Sequence, residues 1–142
     1  MDLKKEVERV MTETTTMALA TSVDDMPNVR ILNFIYLINE KLLYFQSKKG
    51  DNKEKEFITN SNVAFTTIPT SGLAYIRVNN AIVNKSRKSI IDVKDIFIKK
   101  MPFYKDFIEQ NGNTMDLYEV HFSKLRFYPD PDRFEEINLC NI

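Results

Sequence analysis

The residues most able to do chemistry in this 142-residue chain lie between positions 17 and 62. There, MALATSVDDMPNVRILNFIYLINEKLLYFQSKKGDNKEKEFITNSN sets β-rich runs beside a charged loop that opens a short helix. A helix start beside a strand edge can hold a phosphate, because free backbone amides and the helix dipole favour an anion. Arg30 and Asn33 stand out inside an otherwise apolar run. A polar side chain in such a place must find a hydrogen-bond partner, and the edge of a ligand is one candidate. Elsewhere the pattern offers no catalytic constellation. His121 is the sole histidine. With no second imidazole to share a metal, it reads as a structural or surface residue. There is no glycine-rich phosphate loop and no GxSxG elbow. The carboxylate pairs Asp24-Asp25 and Glu135-Glu136 fall in an expected turn and tail, where solvent takes up their charge.

The elements that must position these residues follow from periodicity. Leu3, Val7, Val10 and Met11 recur at helical spacing, so residues 2–13 are expected as an amphipathic helix. Residues 17–23 read as a first strand and 24–27 as a turn, where aspartates bond back to their own backbone and Pro27 fixes φ. Residues 29–38 are apolar at nearly every position and read as one long strand covered on both faces. A tight turn at 39–41 leads to a third strand over 42–47. Asp51 followed by Glu54 resembles a capping box, with Phe57 and Ile58 as the buried end of the helix it starts. Strands over 63–68 and 73–84 come next, the latter bent near Asn79-Asn80. A helical pattern over 86–110 is broken by Pro102. Residues 117–128 read as the sixth strand and 134–142 as a short edge strand. Six strands with one helical insertion before the last predict a mainly β fold. The expected form is a small six-stranded antiparallel barrel with peripheral helices, because closure removes aggregation-prone edges.

Composition narrows the class. A chain of this length is expected as one domain over residues 1–142. Its 43% hydrophobic content and 10 Phe suffice for a packed core. Twenty basic residues balance twenty acidic ones, with no basic stripe, which argues against a nucleic-acid partner. The lone Cys140 permits neither an intrachain disulfide nor a cysteine metal cluster, in keeping with a reducing cytoplasm. No apolar run reaches the roughly 20 residues that span a bilayer, and MDLKKEVERV has no apolar signal core. The expectation is a soluble cytoplasmic protein with no membrane partner.

The block LATSVDDMPNVRILNF, then LLYFQS, then Lys53 and EFITNSNVAFTT, resembles the pyridoxamine 5′-phosphate oxidase-like family. Its members are FMN-binding split β-barrels, usually homodimers. The matching features are Ala20-Thr21 ending the first strand, Pro27 in the turn, Arg30 opening the second strand, residues 45–47, Lys53 and residues 60–63. The likeness covers residues 14–84 in motif and the remainder in topology.

The resemblance implies an FMN-dependent oxidoreductase with the flavin at a homodimer interface, acting on a small-molecule substrate or NAD(P)H. It also admits a non-catalytic flavin or haem carrier or sensor on the same barrel. The cofactor-binding residues it carries over are Arg30, Ile31, Leu32, Asn33, Gln46, Ser47, Lys53 and Arg77. Lys53 would meet the phosphate as a compact cation, and Ser47 would donate a hydroxyl hydrogen bond to the same group. Arg30 would contact phosphate or ribityl. Ile31, Leu32 and Asn33 would face the ring edge with Gln46 beside them, and Arg77 would reach the flavin from a partner subunit. Each cation also has a plain structural reading: Lys53 as a solvated helix-start lysine, Arg30 as a barrel-rim ion pair, Arg77 as a surface strand residue.

Two departures matter. Many members carry Ser-Arg where this chain has Asp51-Asn52. Asp51 either caps the helix and faces away, or faces the phosphate and repels it. Lys48 or Lys49 could then replace the missing basic residue. The tail DPDRFEEINLCNI has no counterpart of the Trp and Arg that contact substrate in the vitamin B6 oxidases, which points away from vitamin B6 oxidation itself.

Overall fold

In the computed structural model, which describes residues 2–141, Asp24 and Asp25 both take left-handed backbone conformations (φ 52° and 64°). Aspartate tolerates this conformation better than most residues. Two such residues reverse the chain with the twist that antiparallel strands need. The turn is therefore shorter than the expected 24–27. It joins β1 (Thr16–Val23) directly to β2 (Met26–Asn33), with Val23 opposite Met26. Pro27 sits within β2, which β1 alone flanks, so its missing N–H costs no ladder bond.

The expected strand over 29–38 is two strands. β2 stops at Asn33, and β3 (Ile35–Leu37) follows after Phe34. Phe34 is fully buried, and its N–H donates to the Thr15 carbonyl at 3.1 Å. The expectation that both faces of this run are covered is overturned for β2. Met26, Val29 and Ile31 are 71%, 63% and 68% exposed. The reason is position: β2 ends the sheet, and its outer face has no layer over it.

The remaining strands are β4 (Leu42–Lys48), β5 (Asn62–Thr67), β6 (Tyr75–Lys85), β7 (Met115–His121), β8 (Lys124–Asp130) and β9 (Arg133–Asn138). The main path of the antiparallel sheet runs β2-β1-β5-β6-β7-β4-β3, with β8 on β6 and β9 on β8. Among the described residues there are nine strands rather than the expected six. One difference arises because β6 spans eleven residues. Its C-terminal half pairs with β7 and its N-terminal end with β8, so the expected sixth strand divides at Phe122-Ser123. The two ends of the path, β2 and β3, are consecutive in the chain and meet at Phe34. Among the described residues no ladder joins them, so the sheet curls round without closing.

Four helices lie outside. α1 (Leu3–Glu13), capped by Asp2, buries Val7, Val10 and Met11 against the inner core of Met17, Leu19, Phe45 and Phe65. α2 (Asn52–Thr59) covers one barrel end with Phe57, while Ile58, expected to be buried, is 85% exposed. α3 (Lys94–Lys100) and α4 (Tyr104–Asn111) are separated by Pro102 as expected. The helix begins at Lys94 rather than 86. Ser89 and Asp92 exchange backbone-to-side-chain hydrogen bonds at 2.8 and 3.2 Å and hold a turn there instead. α3 and α4 bury Phe97 and Tyr104 in a second core with Tyr44 and Leu117. Alternation along β4 feeds both cores: Leu43 and Phe45 point inward, Tyr44 outward.

The bend near Asn79-Asn80 is a β-bulge. Val63 pairs with Ala81 and Phe65 with Val78, so Asn79 and Asn80 together oppose Ala64.

Lys100 ties these layers together. Its Nζ donates to the carbonyls of Met11 and Phe34, both at 3.0 Å, and lies 4.0 Å from the Phe34 ring centroid. Burial lowers its pKa to about 8. Lys100→Ala leaves two carbonyls without that donor and should cost about 1–3 kcal/mol in chemical denaturation. An unchanged midpoint would show that the tie carries no weight.

Candidate functional site at the start of helix α2

Asp51 caps α2: its Oδ1 accepts from the Lys53 N–H at 3.1 Å. The backbone N–H of Lys53 and then its ammonium hold the Asp51 carboxyl below the usual range. The capping box is only half formed. The Asp51 N–H donates to the Lys48 carbonyl at 3.1 Å, and Glu54 turns inward instead of reaching back. Asp51 also holds the Lys53 ammonium, with Nζ at 3.3 Å from Oδ1.

Arg30 reaches the middle of α2 from β2. Its Nη2 is 2.7 Å from Glu56 Oε1. Its Nη1 donates to the Leu19 carbonyl at 3.2 Å and to Thr21 Oγ1 at 3.0 Å. Glu56 accepts in addition from the Thr21 hydroxyl and from Asn28 Nδ2. The Thr21 hydroxyl, then Arg30, holds its carboxyl low. Arg30 is also near enough to help lower Asp51. Each cation therefore has a carboxylate partner, Lys53 at the start of α2 and Arg30 at Glu56 further along it.

Ser47 does not join this group. It is 1% exposed and lies under α2 near Glu54, and its hydroxyl donates to the Lys48 carbonyl at 3.4 Å. Glu54 faces Asp116 and Tyr118 on β7, and Lys85 on β6 pairs with Asp116 at 3.3 Å. Glu54 Oε1 is 3.4 Å from the Gly50 N–H, while Oε2 is buried with no hydrogen-bond partner. Burial first, then Asp116, raises the Glu54 carboxyl. Burial and the two acids push the Tyr118 phenol up.

The ring-edge candidates converge elsewhere. Gln46 follows Tyr44 onto the outer face of β4, opposite to Ser47. Asn33 Nδ2 donates to the Tyr104 hydroxyl at 3.4 Å, and Gln46 is within reach of that hydroxyl. Burial raises the Tyr104 phenol. Ile31 lies exposed on the outer face of β2, and Leu32 packs on the inner core. Arg77 is farther away. Ile31, Ala18, Thr66 and Arg77 form one cross-strand row. That places Arg77 about 14 Å from Ile31, three strand spacings. Arg77 Nε donates to Asn79 Oδ1 at 3.0 Å, and its side chain lines a cavity of about 380 Å³ with Arg126 and Glu136.

Sequence reasoning missed the inward turn of Glu54, its meeting with Asp116, and Tyr104. Tyr104 carried one usable signal: an aromatic with a polar tip at a helix start after proline needs a partner when buried. No signal pairs Glu54 with Asp116 across 62 positions.

Chemically, the α2 end can exchange an internal carboxylate for an external anion, and the buried acid pair can hold a proton. Because Glu54 binds its proton more tightly folded than unfolded, its stabilising share is complete below the unfolded carboxyl value. It fades as pH rises through the raised folded value. Glu54→Gln should be more stable than the parent at about pH 8, by about 1–2 kcal/mol, with the gap closing toward about pH 4. Equal stability at the higher pH would show that the pair imposes no strain.

A family model described as "Pyridoxamine 5′-phosphate oxidase-like" matches residues 10–129. No functionally curated protein matches this chain. Among solved structures, the General Stress Protein 26 from Bacillus anthracis superposes with a TM-score of 0.74 at 16% identity, covering 97% of this chain and 99% of that one. A heme binding protein from Mycobacterium smegmatis gives 0.77 at 9% identity, covering 98% of this chain and 59% of that one. A FAD-binding protein from Mesorhizobium loti gives 0.61 at 16% identity, over 85% and 90%.

Proposed function

The chain belongs to the pyridoxamine 5′-phosphate oxidase-like family, and from that premise we propose that it binds FMN between two copies of itself and serves as an oxidoreductase. The observation that carries this reading is that two cations flank α2, Lys53 at its N-terminal end and Arg30 at Glu56, with Arg30 near enough to help lower Asp51. That donor set fits a phosphate in kind: a guanidinium, a compact ammonium and the Lys53 amide that Asp51 now holds. The phosphate would take the places that Asp51 and Glu56 hold against the two cations. Such an exchange makes phosphate anchoring weaker than in a cradle of unpaired cations. Asn33 and Gln46 have amides to offer a ring edge, released from Tyr104. Arg77 is too distant within the chain to join Arg30, so it would act from a second copy, and the exposed Val29 and Ile31 beside the site suit burial in that dimer. Bound FMN would supply hydride-transfer chemistry toward a small-molecule substrate or NAD(P)H. The chain's own part is to neutralise the phosphate and orient the ring.

A flavin-fluorescence titration tests this. The protein should take up FMN as a dimer by sedimentation. Lys53→Ala and Arg30→Ala should each weaken binding about tenfold, the loss of one charge-assisted hydrogen bond. Asp51→Asn should tighten it severalfold, because the lysine would lose its internal partner. A protein that stays colourless in excess FMN sinks the proposal.

One observation favours a second reading, a non-catalytic flavin or haem carrier on the same barrel: both cations are already charge-paired, so the site does not demand a phosphate. A Soret band on adding haemin, without flavin uptake, would favour that reading.

A further inference from the structure

A cavity lies beside the α2 site rather than in it. It is an open groove of about 640 Å³ along β1, β5, β6 and the turn after β7. None of Arg30, Asn33, Gln46, Ser47, Lys53 or Arg77 lines it. Its volume lies within the roughly 300–1,000 Å³ of small-molecule sites. Two features give the groove recognition chemistry.

The first is the β-bulge. Placing Asn79 and Asn80 together opposite Ala64 brings two adjacent asparagines to the groove; Asn79 Oδ1 already accepts from Arg77, so Asn79 offers its Nδ2 and Asn80 its amide. The second is an oriented imidazole. His121 Nε2 lies 2.8 Å from Glu119 Oε1, and the Ser86 hydroxyl donates to Glu119 Oε2 at 2.7 Å. Burial alone would raise the Glu119 carboxyl, but Ser86 and His121 outweigh it and hold it low. An ionised Glu119 can only accept, so His121 Nε2 must carry the proton. In the neutral imidazole Nδ1 then remains as the acceptor, and among the described residues it has no hydrogen-bond partner. Such a carboxylate–imidazole pair fixes both the tautomer and the ring orientation.

We propose that this groove binds a flat, uncharged heteroaromatic molecule that donates a ring N–H to His121 Nδ1 and pairs its edge with the amides of Asn79 and Asn80. The lining contains no Lys, Arg, Asp or Glu, so a charged ligand would meet no counter-charge there. Ala20 and Ala64 line the groove with side chains too small to obstruct a planar ring, and Phe122 supplies an aromatic wall. Glu119 and Ser86 are positioning residues: they act through His121. Thr21 both lines the groove and bonds Arg30 and Glu56, so the groove borders the α2 site, while the recognition groups His121, Asn79 and Asn80 take no part in that site.

The single histidine makes the test clean, since its imidazole C–H protons give one isolated pair of NMR signals. Theophylline, a planar molecule with a ring N–H, is titrated against the full chain, with caffeine, its N-methylated counterpart, as control. Theophylline should shift the His121 signals saturably, and caffeine should bind at least tenfold more weakly. His121→Ala, a half-exposed position, should weaken theophylline about tenfold by calorimetry. Glu119→Gln should reduce the preference for theophylline over caffeine, because the tautomer is no longer imposed. Asn80→Ala serves as a second groove variant with the same expected direction. No shift at millimolar theophylline, equal binding of caffeine, wild-type affinity in both His121→Ala and Asn80→Ala, or occlusion of the groove by a second copy would each overturn the proposal.

Discussion

The structure depends on Phe34. Its fully buried ring sits where the two ends of the sheet path meet, and its backbone binds Thr15 on one side and Lys100 on the other. Because β2 and β3 are consecutive, the chain joins the ends of the curled sheet covalently, and no ladder is needed there. Lys100 then couples this junction to the end of α1 and to α3. Everything near the candidate site inherits this arrangement. β2 becomes an edge with an exposed outer face, α4 settles over β4, and Asn33 with Gln46 meets Tyr104.

Charge balance is repeated at the scale of the site. The chain carries equal numbers of acidic and basic residues. Around α2 the same equality holds locally: Arg30 with Glu56, Lys53 with Asp51. Behind it, Glu54 and Asp116 place buried acid under the helix, relieved on one side by Lys85. A site of this kind keeps its cations ordered without a ligand, at the cost of an exchange step when an anion arrives. It differs in character from the groove along β1, β5 and β6, whose lining carries no carboxylate or ammonium group.

Much of the fold was legible from local pattern. The spacing of Leu3, Val7, Val10 and Met11 located α1, and Pro102 separated α3 from α4, because helical stripes and proline geometry are properties of a few adjacent residues. The bend at Asn79-Asn80 was legible for the same reason. The break at Phe34 was not. A run apolar at nearly every position looks alike whether it is one buried strand or two strands at opposite ends of a sheet. The start of α3 at Lys94 was hidden by the competing turn between Ser89 and Asp92. The split of residues 117–128 follows from the length of β6, which takes β7 and β8 at its two ends.

For the candidate site, the sequence alone determined the residue types, the family resemblance and the position of Asp51 as a helix cap, since capping depends only on the next two or three residues. Tertiary structure decided which groups share a space. Adjacent residues on β4 point to opposite faces, so Gln46 went to Tyr104 while Ser47 went under α2. Long-range packing set Glu54 against Asp116, Arg30 against Glu56, and the exposed imidazole of His121 at the rim of a groove. Those pairings join residues tens of positions apart, and only the closing of the fold brings their side chains within hydrogen-bonding distance.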